Sequence, residues 1–253
     1  MRTFGIEEEF IFLKPATLQP ANVGDEVHAE LLGRSPVSRF ISHEFLASQI
    51  ERSTSVFDRF EQASADLLAF RSRLARAAVA RGVLAAGVGA PFQTEGWPEV
   101  TDVERYHTVE TEFRGLVPDH LINGLHVHVG IPSRDAGVQA LNRVRVWLPT
   151  LLALAVNSPF WHGADTDFSS WRSVHMRRWS TIGTLESALI VTDELLRYAG
   201  DAIDEVGNRE RIVGLLARAR RLGTGAERQR AAMRSGGQPA LAALLRQALT
   251  AHD

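Results

Sequence analysis

The sequence of 253 residues contains no cysteine, which excludes disulfide bonds, thiolate zinc sites and cysteine nucleophiles. It also lacks an uninterrupted apolar run of about 18 residues, so no membrane-spanning helix is predicted. The first three residues lead directly into a strand pattern, which leaves no room for a signal peptide. These absences together predict a cytoplasmic protein without a membrane partner.

A strong charge of one sign is also missing. The net charge is −2 and the isoelectric point is near 6.5, which gives no signal for binding to nucleic acid or to an anionic membrane. The glycine-rich motifs GxxxxGKS, GxxxxGKT and GxGxxG do not occur. Neither a P-loop nor a Rossmann nucleotide site is therefore supported.

The remaining composition is that of an ordinary globular protein, with 45% hydrophobic and 23% charged residues. A chain of this length can bury a sizeable core. We expect a single domain over residues 1–253, in which residues 1–183 contain a sheet and residues 184–253 are helical.

Three consecutive acids, Glu7, Glu8 and Glu9, interrupt an otherwise apolar strand that begins near Phe4. With the two-residue period of a strand, Glu7 and Glu9 lie on one face and the aromatic side chains on the other. Two carboxylates about 7 Å apart repel each other unless a cation or an arginine lies between them. The alternative is a strand whose polar face is simply hydrated. Glu8 falls on the apolar face, and we expect it where the strand end meets solvent.

Apolar residues that recur every three or four positions predict several helices. They are expected at residues 54–81, capped by Thr54 or Ser55; at 101–116, with a Thr101–Glu104 capping box; and after Ser133. The intervening strands alternate polar and apolar residues, which favours an antiparallel sheet over a buried parallel one. The predicted fold class is α+β, with one face of the sheet open to a site and helices packed on the other.

His126 and His128 lie two positions apart in a predicted strand, so both imidazoles point to one face. A lone histidine is usually structural, but two at this spacing suit metal ligands or phosphate contacts. Together with Glu7 and Glu9 they predict a shared cation site, to which Glu51 on a third strand is a candidate addition. Carboxylate-rich sites suit Mg²⁺ or Mn²⁺, often with a phosphate-bearing substrate, whereas histidine ligands shift the preference towards Mn²⁺ or Zn²⁺.

Residues 157–172 mix aromatic, hydroxyl and acidic side chains, and they lead to Arg172, Arg177 and Arg178. Planar guanidinium groups bind phosphate and carboxylate oxygens through paired hydrogen bonds. One interpretation is therefore an anion-binding loop. The other is that Asp165 and Asp167 cap turns while the arginines are hydrated.

The segments that carry these residues occur in the same order in one known family; they are residues 5–10, 48–51, 124–130 and 157–172. On these motifs the chain resembles the YbdK-like carboxylate–amine ligases, the second glutamate–cysteine ligase family. Residues 223–230 resemble the tail of that family as well. The resemblance covers the chain from Thr3 to about Gly183 and again near its C-terminus.

The resemblance implies a funnel-shaped antiparallel sheet, as in glutamine synthetase, with ATP and Mg²⁺ or Mn²⁺ at its mouth. It also implies an ATP-dependent ligase that joins a small carboxylate or amino acid to an amine through an acyl phosphate. By motif position, the cation ligands would be Glu7, Glu9, Glu51 and His126. The cofactor-binding residues would be His128, Arg172 and Arg178, and the catalytic residues Arg172 and Glu51. Whether the protein forms a homo-oligomer stays open, since Trp161, Trp171 and Trp179 could serve an interface as easily as a site.

The chain departs from the family at two places. Residues 88–92 read Val-Gly-Ala-Pro-Phe where the family usually has Gly-Thr-His-Pro-Phe. After Gly183 the family continues through a further segment, which includes a strand reading approximately Glu-Val-Arg and is thought to supply another metal ligand and a catalytic arginine. The sequence contains neither that strand nor a substitute.

Two alternatives to an active ligase follow. One is a degenerate ligase scaffold that still binds nucleotide or a partner, which the lost segment suggests. The other is a zinc-dependent hydrolase that uses His126 and His128, with Asp165 or His175 as the further ligand.

Overall fold

The computed structural model describes residues 3–32, 40–178 and 209–250. Its strands are β1 (Phe4–Leu13), β2 (Ile41–His43), β3 (Gln49–Ser53), β4 (Leu84–Ala86), β5 (Leu125–Val129), β6 (Phe160–Trp161) and β7 (Ala164–Asp165). Its helices are α1 (Gly24–Leu32), α2 (Phe60–Ala80), α3 (Glu104–Phe113), α4 (Arg134–Val144), α5 (Leu148–Ala155), α6 (Trp171–Met176), α7 (Arg209–Leu222) and α8 (Gly225–Thr250). Two 3₁₀ helices, Arg114–Asp119 and Arg145–Trp147, follow α3 and α4.

The main sheet is antiparallel and is built around β1. Strand β3 pairs with one edge of β1, and β2 pairs with the outer edge of β3. The other edge of β1 is shared, because β5 pairs with its first half and β4 with its second half. The predicted α+β class with an antiparallel sheet is confirmed.

The two faces of β1 have different surroundings. On one face, Phe10 and Phe12 pack with Phe70 and Leu74 of α2 in the main core. On the other face, the apolar end of β1 is covered by α8, where Leu241 belongs to the same buried cluster as Ile11 and Leu13. Among the described residues, this second face is therefore uncovered only near the start of β1, where Glu7 and Glu9 lie.

Two predicted helix starts are wrong by several residues, for the same reason. Helix α2 begins at Phe60 instead of residue 54, because the Thr54 hydroxyl accepts a hydrogen bond from the Ile6 backbone. Helix α3 begins at Glu104, and the Thr101 hydroxyl donates to the Glu44 carbonyl at 2.6 Å instead of capping the helix. In both places a long-range hydrogen bond takes the hydroxyl that the local pattern assigned to a cap. The Ser133 cap of α4 is confirmed by a bond from the Ala136 backbone.

The C-terminal part is helical where it is described, as predicted, while residues 179–208 lie outside the described residues. A capping box starts α8, since the Thr224 backbone donates to the Glu227 carboxylate and the Glu227 backbone donates to the Thr224 hydroxyl. No helix among the described residues has both the length and the apolar character to cross a membrane. The cytoplasmic location stays a prediction.

The expectation that Glu8 reaches solvent is wrong. Its side chain is 4% exposed and points into the core face of the sheet, where Arg71 of α2 forms an ion pair with it. The Arg71 Nε also donates to the Glu8 carboxylate at 3.1 Å. A buried carboxylate is tolerated here because a paired guanidinium compensates its charge.

We expect Arg71→Met to lower the free energy of unfolding by about 2–3 kcal/mol, because it leaves Glu8 buried without its partner. The double variant Glu8→Leu, Arg71→Met should recover most of that loss, since no charge is then left in the core. Urea unfolding followed by circular dichroism measures both. The control is Arg59→Met, which removes an exposed 3.9 Å pair with Glu61 and should cost under about 0.5 kcal/mol. Equal losses in the single and double Arg71 variants would contradict the explanation.

Candidate active site

Strand register brings the predicted acids and histidines together on the open face of the sheet. Glu7 lies opposite His126 of β5, and Glu9 lies opposite Glu51 of β3. Because β1 is central, both acids lie beside residues of β3 and of the segment that contains β5. The predicted residues thus lie on one sheet face, but in two adjacent clusters instead of one shared cation site.

The first cluster is a carboxylate between two imidazoles. Glu7 Oε2 lies 3.1 Å from His126 Nδ1 and 3.0 Å from His128 Nε2. The Ser53 hydroxyl donates to the other carboxylate oxygen at 3.2 Å. The hydrogen bond from His128 lowers the pKa of Glu7, with smaller contributions from His126 and Ser53 against the opposing effect of burial.

The second cluster consists of the carboxylates of Glu9, Glu44 and Glu51. Burial raises the pKa of Glu44 to about 7, and the charges of Glu9 and Glu51 add to the effect. Burial also raises the pKa of Glu9, although the Gly124 backbone donates to Glu9 at 2.7 Å and opposes the shift. Glu51 accepts a hydrogen bond from the Ser42 hydroxyl at 3.1 Å. Carboxylates held this close repel one another when they are ionised, and a bound cation would offset that repulsion.

Each cluster brings three possible metal ligands within reach of a single cation. In each of them, one ligand atom per residue can be chosen so that all three atoms lie within 4.8 Å of one another. One set is mixed nitrogen and oxygen, and the other is oxygen only. Among the described residues, these are the groups of three or more histidine or acidic side chains that meet this distance.

Arg172 lies beside the second cluster, where its charge interacts with that of Glu9, and its anion-binding role stays a prediction. Its Nε donates to the Asn123 carbonyl at 2.6 Å, and its backbone donates to the Ser158 hydroxyl. Burial lowers the pKa of Arg172, while the nearby charge of Glu9 raises it. Within the described part of the chain, no group accepts a hydrogen bond from the two terminal nitrogens of Arg172. The hydrogen bonds that the described residues make with Arg172 therefore use its Nε and its backbone nitrogen.

Other candidate residues lie in different contacts. Arg178 forms an ion pair with Asp119 of the 3₁₀ helix after α3. Asp165 pairs with Arg230 of α8 at 2.7 Å. His175 is 1% exposed and packs against the Trp161 ring at 4.2 Å. The further ligands that a zinc hydrolase would need are thus held elsewhere, while the cofactor-binding role of Arg178 stays a prediction.

Sequence reasoning did not identify Glu44 or Asn123 as parts of the site. Glu44 follows the short strand β2, and its backbone is held by Thr101 across a gap of 57 residues. Asn123 precedes β5 and is 5% exposed, with its carbonyl bound by Arg172. Neither belongs to a periodic pattern. The only signal in the sequence was that Glu44 is an acid close to Glu51 along the chain.

An open groove of about 380 Å³ adjoins the first cluster. Glu7, Ser53 and His128 are among its polar lining residues, and the remaining lining comes from the start of β1 and from residues at or just beyond the ends of β3 and β5. This volume is in the range of small-molecule binding sites. The groove gives a ligand access to the Glu7 carboxylate from solvent.

The family model described as "Glutamate-cysteine ligase family 2 (GCS2)" matches residues 3–230 of this chain. The chain belongs to this family. The match includes both acid clusters, Arg172 and the start of α8, so the family assignment covers the site described above. The resemblance identified from the sequence motifs is confirmed.

Several bacterial relatives align with about three quarters of the chain. The protein of Saccharopolyspora erythraea named "Putative glutamate--cysteine ligase 2-1" is 40% identical over 182 residues, which are 72% of this chain and 47% of that protein. A relative from Rhodococcus jostii with the same name is 41% identical over 180 residues, 71% of this chain and 48% of its own. The chain spans about half the length of the curated relatives it matches. A solved glutamate–cysteine ligase from Francisella tularensis is 14% identical, with a TM-score of 0.43 over 62% of this chain and 35% of that one.

Proposed function

We propose that this protein is an ATP-dependent carboxylate–amine ligase of the glutamate–cysteine type. The observation that carries the proposal is the pair of clusters on one open sheet face, with the half-buried Arg172 beside Glu9. Family membership supports ligase chemistry for this site. Small-molecule substrates, a carboxylate and an amine, follow from the proposed reaction.

The donor atoms suit two divalent cations. Glu7, His126 and His128 would hold one, and this mixed set of nitrogen and oxygen fits Mn²⁺ better than Mg²⁺. The other set, Glu9, Glu44 and Glu51, offers only oxygen and fits Mg²⁺. When bound, these cations would offset the negative charge of the ATP phosphates. The sequence prediction of Glu7, Glu9, Glu51 and His126 as ligands is thereby extended by Glu44 and His128.

In the proposed reaction, the substrate carboxylate attacks the γ-phosphorus of ATP, and ADP leaves. The amine nitrogen then attacks the acyl carbon. The bond between that carbon and the bridging oxygen breaks, phosphate leaves with the electron pair, and the nitrogen loses a proton to give the amide. Arg172 would bind phosphate or carboxylate oxygens through its terminal nitrogens and hold them in line. The groove beside Glu7 would admit the substrate.

The test is ADP release from ATP with Mg²⁺ or Mn²⁺, with glutamate present and cysteine added or withheld. Release that needs both amino acids supports the proposal. Release that needs glutamate alone would indicate that the acyl phosphate forms and is hydrolysed. No release under any of these conditions would contradict the ligase.

A degenerate ligase scaffold is a second candidate, because the sequence after Gly183 contains no strand reading approximately Glu-Val-Arg, as the family pattern has there. Such a scaffold would bind ATP or cations without turnover. ATP binding measured by calorimetry, together with no ADP release, is the result that favours it.

A further inference from the structure

Asn157 bridges two backbone positions in the segment that follows β4. Its side-chain nitrogen donates to the Gly87 carbonyl at 3.1 Å, and its side-chain oxygen accepts from the Gly89 backbone at 2.9 Å. Both halves of the amide are used. Aspartate could keep only the second of these bonds, because an ionised carboxylate has no donor.

The same segment is also held by Asn123. The Asn123 side chain donates to the Val88 carbonyl at 3.0 Å, and its backbone donates to the Gly89 carbonyl at 3.1 Å. Residues 87–89 are therefore hydrogen-bonded by two asparagines, one from the loop after α5 and one from the loop before β5. The carbonyl of Asn123 then accepts the bond from Arg172 Nε.

Arg172 passes directly over Gly89. A Cβ atom at Gly89 would lie 3.1 Å from Arg172 Cδ and 3.2 Å from Arg172 Cβ, closer than ordinary contacts. The position of Gly89 consequently sets where the stem of Arg172 can lie. A shift of the segment would move both the surface under Arg172 and the acceptor of its Nε.

Asn157 also touches the start of α8. Gln229 donates to the Asn157 carbonyl at 2.6 Å, and the Ala226 backbone donates to the Val156 carbonyl at 3.0 Å. Gly225 packs so closely that a Cβ there would lie 2.7 Å from Asn157 Cβ. Helix α8 thus fixes Asn157 from outside the sheet.

We propose that Asn157 is a positioning residue, which links the start of α8 through residues 87–89 to Arg172 and so fixes the guanidinium beside Glu9. The ligand that Arg172 then holds rests on the proposed function, but the link itself does not. Asn157 reaches the site through other residues and does not contact the acid clusters in the described structure.

The experiment follows the Arg172 Nε–H by NMR in protein labelled with ¹⁵N-arginine, and Arg172→Lys assigns the signal. We expect its exchange with water to become about five- to tenfold faster in Asn157→Asp and Asn157→Ala, as a hydrogen bond loses its support. Gln229→Ala should accelerate exchange less, because the amide bridge remains. The matched control is Asn22→Ala, which removes an exposed bond to Glu99 and should change nothing.

Unchanged exchange in folded Asn157→Asp would overturn the proposal, and unchanged exchange in Gln229→Ala would overturn the link to α8. Circular dichroism checks that each variant is folded, and Asn157→Asp and Gln229→Ala serve if Asn157→Ala does not fold. The readout needs no turnover, so wild-type protein that releases no ADP would count against the ligase and not against this role. Where turnover is present, Asn157→Asp should raise the KM of the substrate held by Arg172 about tenfold and leave Mn²⁺ affinity at the Glu7 cluster unchanged.

Discussion

Glu7→Gln should abolish ADP release and remove one divalent-cation site. The amide keeps the size of the side chain but loses the negative charge that lies between His126 and His128. A cation held by these residues would lose its only anionic ligand in the cluster, and we expect its affinity to fall by at least about 100-fold. Calorimetric titration with Mn²⁺ and the ADP-release assay measure the two effects separately.

The matched control for this variant is Glu61→Gln, which changes an exposed glutamate in the first turn of α2. It makes the same chemical change away from the sheet face, and it should retain wild-type Mn²⁺ affinity. If Glu7→Gln also retains that affinity, the first cluster is not a cation site. Loss of Mn²⁺ binding without loss of ADP release would show that this cation is not needed for the reaction.

A second large effect is expected in the pH dependence of cation binding at the Glu9, Glu44 and Glu51 cluster. Because burial raises the pKa of Glu44 from 4.5 to about 7, the folded cation-free protein keeps a proton that the unfolded chain has already released. Without a cation, the contribution of Glu44 to stability therefore falls as the pH rises from 4.5 towards 7. A bound cation needs the ionised carboxylate, so cation affinity should rise over the same range and level off above about 7.

The expected slope approaches about tenfold in affinity per pH unit below pH 7, because one proton is displaced for each cation bound. Titration of Mg²⁺ at several pH values, in buffers with different ionisation enthalpies, measures both the affinity and the released proton. Glu44→Gln cannot release this proton and should flatten the slope, while binding more weakly at high pH. Wild-type affinity that is constant between pH 5 and 7 would contradict the role of Glu44.

Family membership could be predicted from the sequence because its evidence is local. The Glu-x-Glu and His-x-His motifs each place two side chains on one strand face by the two-residue period alone. Their order along the chain, with residues 157–172 behind them, was enough to indicate the family that the comparison then showed. The α+β class followed from the same alternation.

The helix starts show where local reasoning ends. Thr54 and Thr101 both have side chains that suit an N-cap, yet each hydroxyl bonds to a distant backbone atom instead. A sequence pattern shows the residue that could cap the helix, but it does not show the distant backbone group that competes for its hydroxyl. Glu8 is a similar case, because only the packing of α2 on the sheet reveals that Arg71 lies within reach of it.

The sequence by itself determined which chemical groups this protein brings to its site: alternating acids, alternating histidines and an arginine after an aromatic loop. Only the tertiary structure decided how they are divided. The register of β1 with β3 and β5 assigns Glu7 to the histidines and Glu9 to Glu51, while Glu44 joins from a loop. The physical reason is that side-chain direction follows from the local period of the backbone, whereas pairing between strands depends on contacts far apart in the sequence.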